Sequence, residues 1–230
     1  MSTSLGSLLQ EKKMTLLVSL PENNVELAKA AIRSGVDAVK MHVNVDHRAS
    51  GNRFEPVEAY KEVFRTIRSE FRGPLGIVPG DSIEKIKRTE MEQLIDLGFN
   101  FYSIYAHHKL SWMFELDNMD KTFAITSDYS AAGLGKVKHF GASGIEASII
   151  PGEEYGTPLS FKDVLTYQSI VENVDVPVLV PSQRKLAPSD IPLLHKAGIK
   201  AVMLGAIVIG DTEERIEKAI ASFRNAIDSL

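Results

Sequence analysis

Short apolar runs alternate with amphipathic helical stretches from one end of this 230-residue chain to the other, and no other property narrows its fold as much. The apolar runs read as strands over Thr15–Leu20, Asp37–Val45, Pro74–Pro79, Asn100–His107, Thr122–Asp128, Gly144–Ile150, Val176–Pro181 and Lys200–Gly205. A helical pattern follows each of them, faintest after Lys109. Strands separated by helices pair in parallel through crossovers, and a parallel sheet must be covered on both faces. Eight such units fit an α/β fold, a closed (β/α)8 TIM barrel, as one domain over residues 1–230 with residues 1–13 as a lead-in. A doubly wound open sheet is the alternative architecture.

A faint internal repeat favours closure. Ile32–Lys40, Ile95–Ser103, Lys138–Glu146 and Leu194–Val202 each run from a helix end through a glycine (Gly35, Gly98, Gly141, Gly198) into a strand. Glycine at that place suits the left-handed backbone that ends a helix. The four segments introduce strands two, four, six and eight, as repeated double units would.

Composition narrows function more than fold. A formal net charge of −4 argues against a nucleic-acid surface, and the basic runs Lys85–Arg88 and Lys136–His139 fit solvated helix faces. The chain has no cysteine, which removes thiolate nucleophiles, disulfides and cysteine metal sites together. Met1–Lys13 lacks the pattern of a secretory signal, and no apolar stretch approaches the roughly 20 residues that cross a bilayer. A cytoplasmic protein with no nucleic-acid or membrane partner is expected, with homodimer formation through outer helices open.

Side chains alternate along a strand, so the helix-facing set must be apolar and the other set looks into the barrel. In the second strand Val39, Met41, Val43 and Val45 form the outer set, leaving Lys40, His42 and Asn44 inside. The sixth strand puts Glu146 and Ser148 inside, and the fourth puts Ser103, Tyr105 and His107 there. In the fifth, Asp128 is expected at the mouth under either register. Branched aliphatics normally fill a barrel, so ionisable groups converging on its catalytic end point to function. A structural Lys40–Glu146 ion pair is the plainer reading. The second loop (Asp46, His47, Arg48, Asn52, Arg53) and the sixth (Pro151–Pro158) are candidate ligand walls.

The closing stretch Val176-Pro-Val-Leu-Val-Pro-Ser-Gln-Arg-Lys185, followed by Ile199–Ile207, resembles the second half of the ribulose-phosphate-binding barrel superfamily. That resemblance implies a phosphate held by the loops after strands seven and eight. Gly205 and Ala206 match the strand-eight half. The usual glycine turn after strand seven is replaced by Ser182, Arg184 and Lys185, whose side chains would hold the anion instead. The general plan, with Asp128-Tyr-Ser130 and Gly144–Thr157, resembles the N-acetylmannosamine-6-phosphate epimerases. Their catalytic lysine at the end of strand three and glutamate at the end of strand seven are missing, since Ile77–Asp81 and Leu179–Ser182 stand there. That activity therefore does not carry over.

Three functions stay open. An isomerase or epimerase would act on a small phosphorylated sugar or similar phosphometabolite by acid–base chemistry, with Glu146 or Asp128 as base, Lys40 or His42 as donor, and His107 nearby. No cofactor is required, although His42 and His107 with Asp128 or Asp46 are a loose candidate set for a divalent metal. A lyase or aldolase would use Lys40 as a Schiff-base nucleophile. A barrel that binds a metabolite without catalysis is the third.

Overall fold

The computed structural model describes residues 3–230, apart from the side chains of Ala131 and Ala132. Eight parallel strands close into a barrel: β1 (Thr15–Ser19), β2 (Ala38–His42), β3 (Leu75–Val78), β4 (Phe101–Tyr105), β5 (Asp120–Ile125), β6 (Gly144–Ala147), β7 (Val178–Pro181) and β8 (Ala201–Leu204). β1 pairs with both β2 and β8, which seals the ring. The chain is a (β/α)8 barrel, and the open-sheet alternative is set aside.

The helices are α1 (Leu5–Glu11), α2 (Val25–Arg33), α3 (Lys61–Glu70), α4 (Arg88–Asp96), α5 (Phe161–Asn173), α6 (Ile191–Lys196), α7 (Ala206–Ile209) and α8 (Glu213–Asp228). Units four and five depart from the expected plan. Among the described residues they carry only 3-10 turns, Ala106–His108 and Ser111–Glu115 after β4, and Ala131–Leu134 and Val137–Phe140 after β5. These segments are too short and too rich in aromatic and glycine residues to sustain an α-helix. Lys109 braces the wall there instead, its ammonium 3.8 Å from the centre of the Phe114 ring and 4.4 Å from that of Phe123.

The repeat glycines behave as a set. Gly35, Gly98, Gly141 and Gly198 have φ of 93°, 88°, 75° and 86°, a region that L side chains avoid. Each sends the chain sharply from an outer turn into the next strand.

Strand parity divides the barrel lumen into two storeys. Outward residues such as Val39, Met41, Ile104, Ile145 and Val202 join the helices in the main core. Below, inward Leu17, Ala38, Phe101, Leu179, Ala201 and Met203 pack with Leu5 and Leu9 of α1, so that helix plugs the floor. Gly76 leaves room for Phe101, whose ring atoms lie as near as 2.0 Å to where a Cβ would stand. Above that apolar plug the inward side chains become polar: Ser19, Lys40, His42, Ser103 and Glu146, all buried. Among the described residues no helix is long and apolar enough to cross a membrane.

Candidate active site

The polar storey opens at the C-terminal ends of the strands into a cavity of about 480 Å³. That size suits a small metabolite. Glu146 lies at its centre. Lys40 Nζ approaches the two carboxylate oxygens at 3.3 and 3.2 Å, Ser103 Oγ donates at 2.6 Å, and Ser148 Oγ at 3.4 Å. Both charged side chains are under a tenth exposed, so each neutralises the other's burial.

His42 stands beside them. Asn23 clasps its backbone, donating to His42 O at 2.6 Å and accepting from its N–H at 3.3 Å. Ser19 Oγ lies 3.5 Å from Nε2, whereas the buried Nδ1 has no hydrogen-bond partner among the described residues. The ring contacts His47 and Phe54, with centroids 4.5 and 4.7 Å away. Burial holds the His42 imidazole well below its ordinary pKa, and His47 and Lys40 push it the same way. Burial, with Lys40, also lowers His47, to about 4. Both rings are therefore neutral near pH 7, each offering one N–H. Tyr105 is pushed up to about 12, chiefly by burial, and stays a phenol.

These shifts predict acid sensitivity. Folded histidines that resist protonation let the unfolded chain bind more protons below about pH 6.5, so stability falls with acidification. For His47 the loss runs down to pH about 4, and the depressed His42 imidazole adds a loss of the same sign. Two such groups give a loss of about 3–4 kcal/mol between pH 7 and pH 5. Urea denaturation across that range measures it; a slope unchanged in His42→Gln and His47→Gln would refute the assignment.

Several expected residues fall elsewhere. Asn44 does not face the lumen: it takes φ 56°, which ends β2, and its amide donates to Glu90 of α4 at 2.6 Å. Asparagine tolerates that backbone better than a branched residue. The reversal turns Val45 into the cavity wall and out of the helix-facing set. Asp128 is exposed and outside the cavity lining. Phe123 and Ile125 must face the core, so Thr126 takes the inward place and the chain turns away before Asp128. His107 does line the cavity, but at its exposed rim, because β4 ends at Tyr105; its ring stacks on Tyr105 at 5.3 Å.

Arg184 and Lys185 do not reach the cavity either. Arg184 is buried and committed to Asp163 of α5, through Nη2 and Nε contacts of 3.0 Å, with Glu154 and Thr157 of the β6 loop as further partners. Lys185 is exposed, and its backbone N–H donates to Thr157 O. The β6 loop is thus tied to the β7 loop as a fixed wall. Ser182, Gly205 and Ala206 do line the cavity, and Gly205 N–H donates to Ser182 Oγ at 2.7 Å.

His47 and Tyr155, from the two candidate loop walls, line it as well, and sequence reasoning passed over Ser19, Thr126 and Gln183, which do the same. Ser19 was accessible from the parity Thr15, Leu17, Ser19. Gln183 was not: its side chain is fixed by Ile150 N–H and Tyr155 Oη, contacts between loops far apart in sequence. Asp128 of the loose metal set lies outside the cavity that His42 and His107 line. Among the described residues no group of three histidine or carboxylate side chains is placed to hold an ion.

No protein-family model matches the chain, and no curated protein matches its sequence. Solved structures do. Thiamine phosphate pyrophosphorylase from Pyrococcus furiosus is similar with a TM-score of 0.66 at 15% identity, over 95% of this chain and 97% of that one. Tryptophan synthase from M. tuberculosis, in its open form, gives 0.71 at 12% identity, over 97% and 96%. The tryptophan synthase A-subunit from Pyrococcus furiosus gives 0.69 at 11% identity, over 93% and 98%. At these identities the likeness is one of architecture: the chain has the (β/α)8 barrel fold of these proteins over nearly its whole length.

Proposed function

We propose that the chain is an enzyme of the ribulose-phosphate-binding barrel type that moves a proton on a small phosphorylated sugar or similar phosphometabolite, as isomerases and epimerases do. The observation that carries this reading is the buried Lys40–Glu146 pair beside a neutral histidine with an unbonded Nδ1. Glu146 removes a proton from the carbon next to a carbonyl. His42, as a neutral imidazole, donates a hydrogen bond to the enolate oxygen that forms, and the Lys40 ammonium stabilises its charge. The proton returns from Glu146 to the same or the adjacent carbon. Ser182 and the backbone of Gly205–Ile207 hold the phosphate; these residues line the cavity, and one of the structurally similar proteins is named for a phosphate compound.

A second reading makes Lys40 a Schiff-base nucleophile in a lyase. It rests on the 3.2–3.3 Å contacts with Glu146, looser than the 2.6 Å bond from Ser103, which leave Nζ open to the cavity beside a carboxylate that can take its proton.

Incubating the protein with a panel of sugar phosphates in D2O, followed by NMR, separates these. Exchange at the carbon beside the carbonyl is expected for at least one member, with a loss of about 10²–10⁴-fold in Glu146→Gln. A borohydride-trapped adduct on Lys40 would replace this reading with the lyase. Binding without exchange or adduct across the panel would leave a metabolite-binding barrel without catalysis.

A further inference from the structure

The ion pairs around the cavity leave one of its cations without a partner. Of the lining carboxylates, Glu146 has Lys40, while Asp81 and Asp46 share Lys85, each at 2.9 Å; Arg53 lies 4.0 Å from Asp46 and 3.8 Å from Glu55. The histidines that line the floor are neutral. One cationic side chain remains, Arg48, which lines the cavity and forms no ion pair among the described residues.

Arg48 is held in place without being neutralised. It sits at the tip of the loop between the paired residues Val45–Phe54 and Asp46–Arg53. His47 N–H donates to Asn52 O at 2.8 Å, Gly51 N–H to His47 O at 2.8 Å, and Asn52 Nδ2 to Pro21 O at 2.8 Å. The guanidinium reaches over to the β6 loop and rests on Gly152: a Cβ there would stand 2.3 Å from Nη1 and 3.1 Å from Cζ. That bare backbone gives the side chain its seat. The β6 loop is itself fastened by Arg184, so the seat is firm. Next along the chain, His47 contacts the His42 ring, whose buried Nδ1 has no partner among the described residues. An unpaired cation and an unsatisfied buried nitrogen thus border the same space.

We infer that Arg48, seated on Gly152, receives a carboxylate at the end of the substrate away from its phosphate, so that the substrate class is a small phosphorylated sugar acid. The inference rests on the phosphate-binding reading above. A planar guanidinium matches a carboxylate in a two-pronged fashion, and one such group balances one negative charge. The contact is with the β6 loop, whereas Ser182 and Gly205 belong to the β7 and β8 loops. Arg48 is therefore a second anchor, which sets the orientation of the carbon chain between the two.

Calorimetric titration with gluconate and glucitol, each phosphorylated on the terminal carbon, tests this, because the two differ only in the carboxylate. The gluconate ester is expected to bind about tenfold or more tightly. The advantage disappears in Arg48→Gln and shrinks in Gly152→Ala, which keeps the charge but displaces the guanidinium. Arg48 is exposed, so its variant retains the fold. Equal affinities, or an advantage that survives Arg48→Gln, would overturn the Arg48 assignment and leave the phosphate anchor standing. If unphosphorylated gluconate binds in an Arg48-dependent way while inorganic phosphate and the glucitol ester do not, the phosphate anchor falls and Arg48 stands. No binding of any member overturns both.

Discussion

Lys40→Met is expected to destabilise the barrel by about 3–5 kcal/mol, because it leaves the Glu146 carboxylate buried with two hydroxyls and no counter-charge. In a chain of this length that is a fall in Tm on the order of 10 °C. Lys40→Met/Glu146→Leu should recover most of the loss, since an apolar pair of similar volume has no charge to desolvate. Under the proposed function, both variants lose proton exchange on substrate. Thermal unfolding of the three proteins reads the result, and a single variant as stable as the parent would mean the carboxylate is not held as described. The pair is thus worth little net stability, which separates a role in chemistry from one in folding.

The second large effect lies outside the cavity. Arg184→Leu removes the cation from Asp163, whose side chain is only 7% exposed. Ser160 still donates to Asp163 through its backbone N–H and its hydroxyl, so the cost should sit near the lower end of the range for broken buried pairs, about 3 kcal/mol. The pH dependence gives a sharper signature. Burial alone would raise the Asp163 pKa, but the bonds from Arg184 and Ser160 outweigh it and hold the group below its ordinary value. In the parent protein the pair contributes fully above the unfolded value near 4 and is lost as pH falls through the depressed folded value. Without Arg184, burial dominates and protonation relieves the strain. The stability gap between variant and parent should therefore narrow from pH 7 to pH 4, as followed by urea denaturation. A gap that widens would mean that Asp163 is not the group left stranded.

Legibility in the sequence followed the reach of the interaction. The alternation in Val39–Val43 and Ile145–Ile149 is local, and it carried both the barrel and the convergence of Lys40, Ser103 and Glu146. Where a strand ends is decided by single-residue backbone preferences, and there the periodic reading ran on too far. Asn44 broke the pattern with one positive φ, and Asp128 and His107 lay beyond the true ends of β5 and β4. Arg184 marks another limit. Its charge and position both suggested an anion site, but a partner 21 residues earlier, Asp163, had already claimed it. No pattern along the chain announces such a pairing, because it depends on how α5 docks against the β7 loop.

The plug formed by Leu5 and Leu9 beneath Phe101 and Leu179 has a consequence for traffic. A barrel stoppered at one end is a flask and not a pipe. Whatever enters past Arg48 and the β6 loop must leave by the same neck, so a departing ligand and an incoming one exclude one another. Water driven out by a ligand has no rear exit. The neck, not the polar storey beneath it, then becomes the place where residence time would be set.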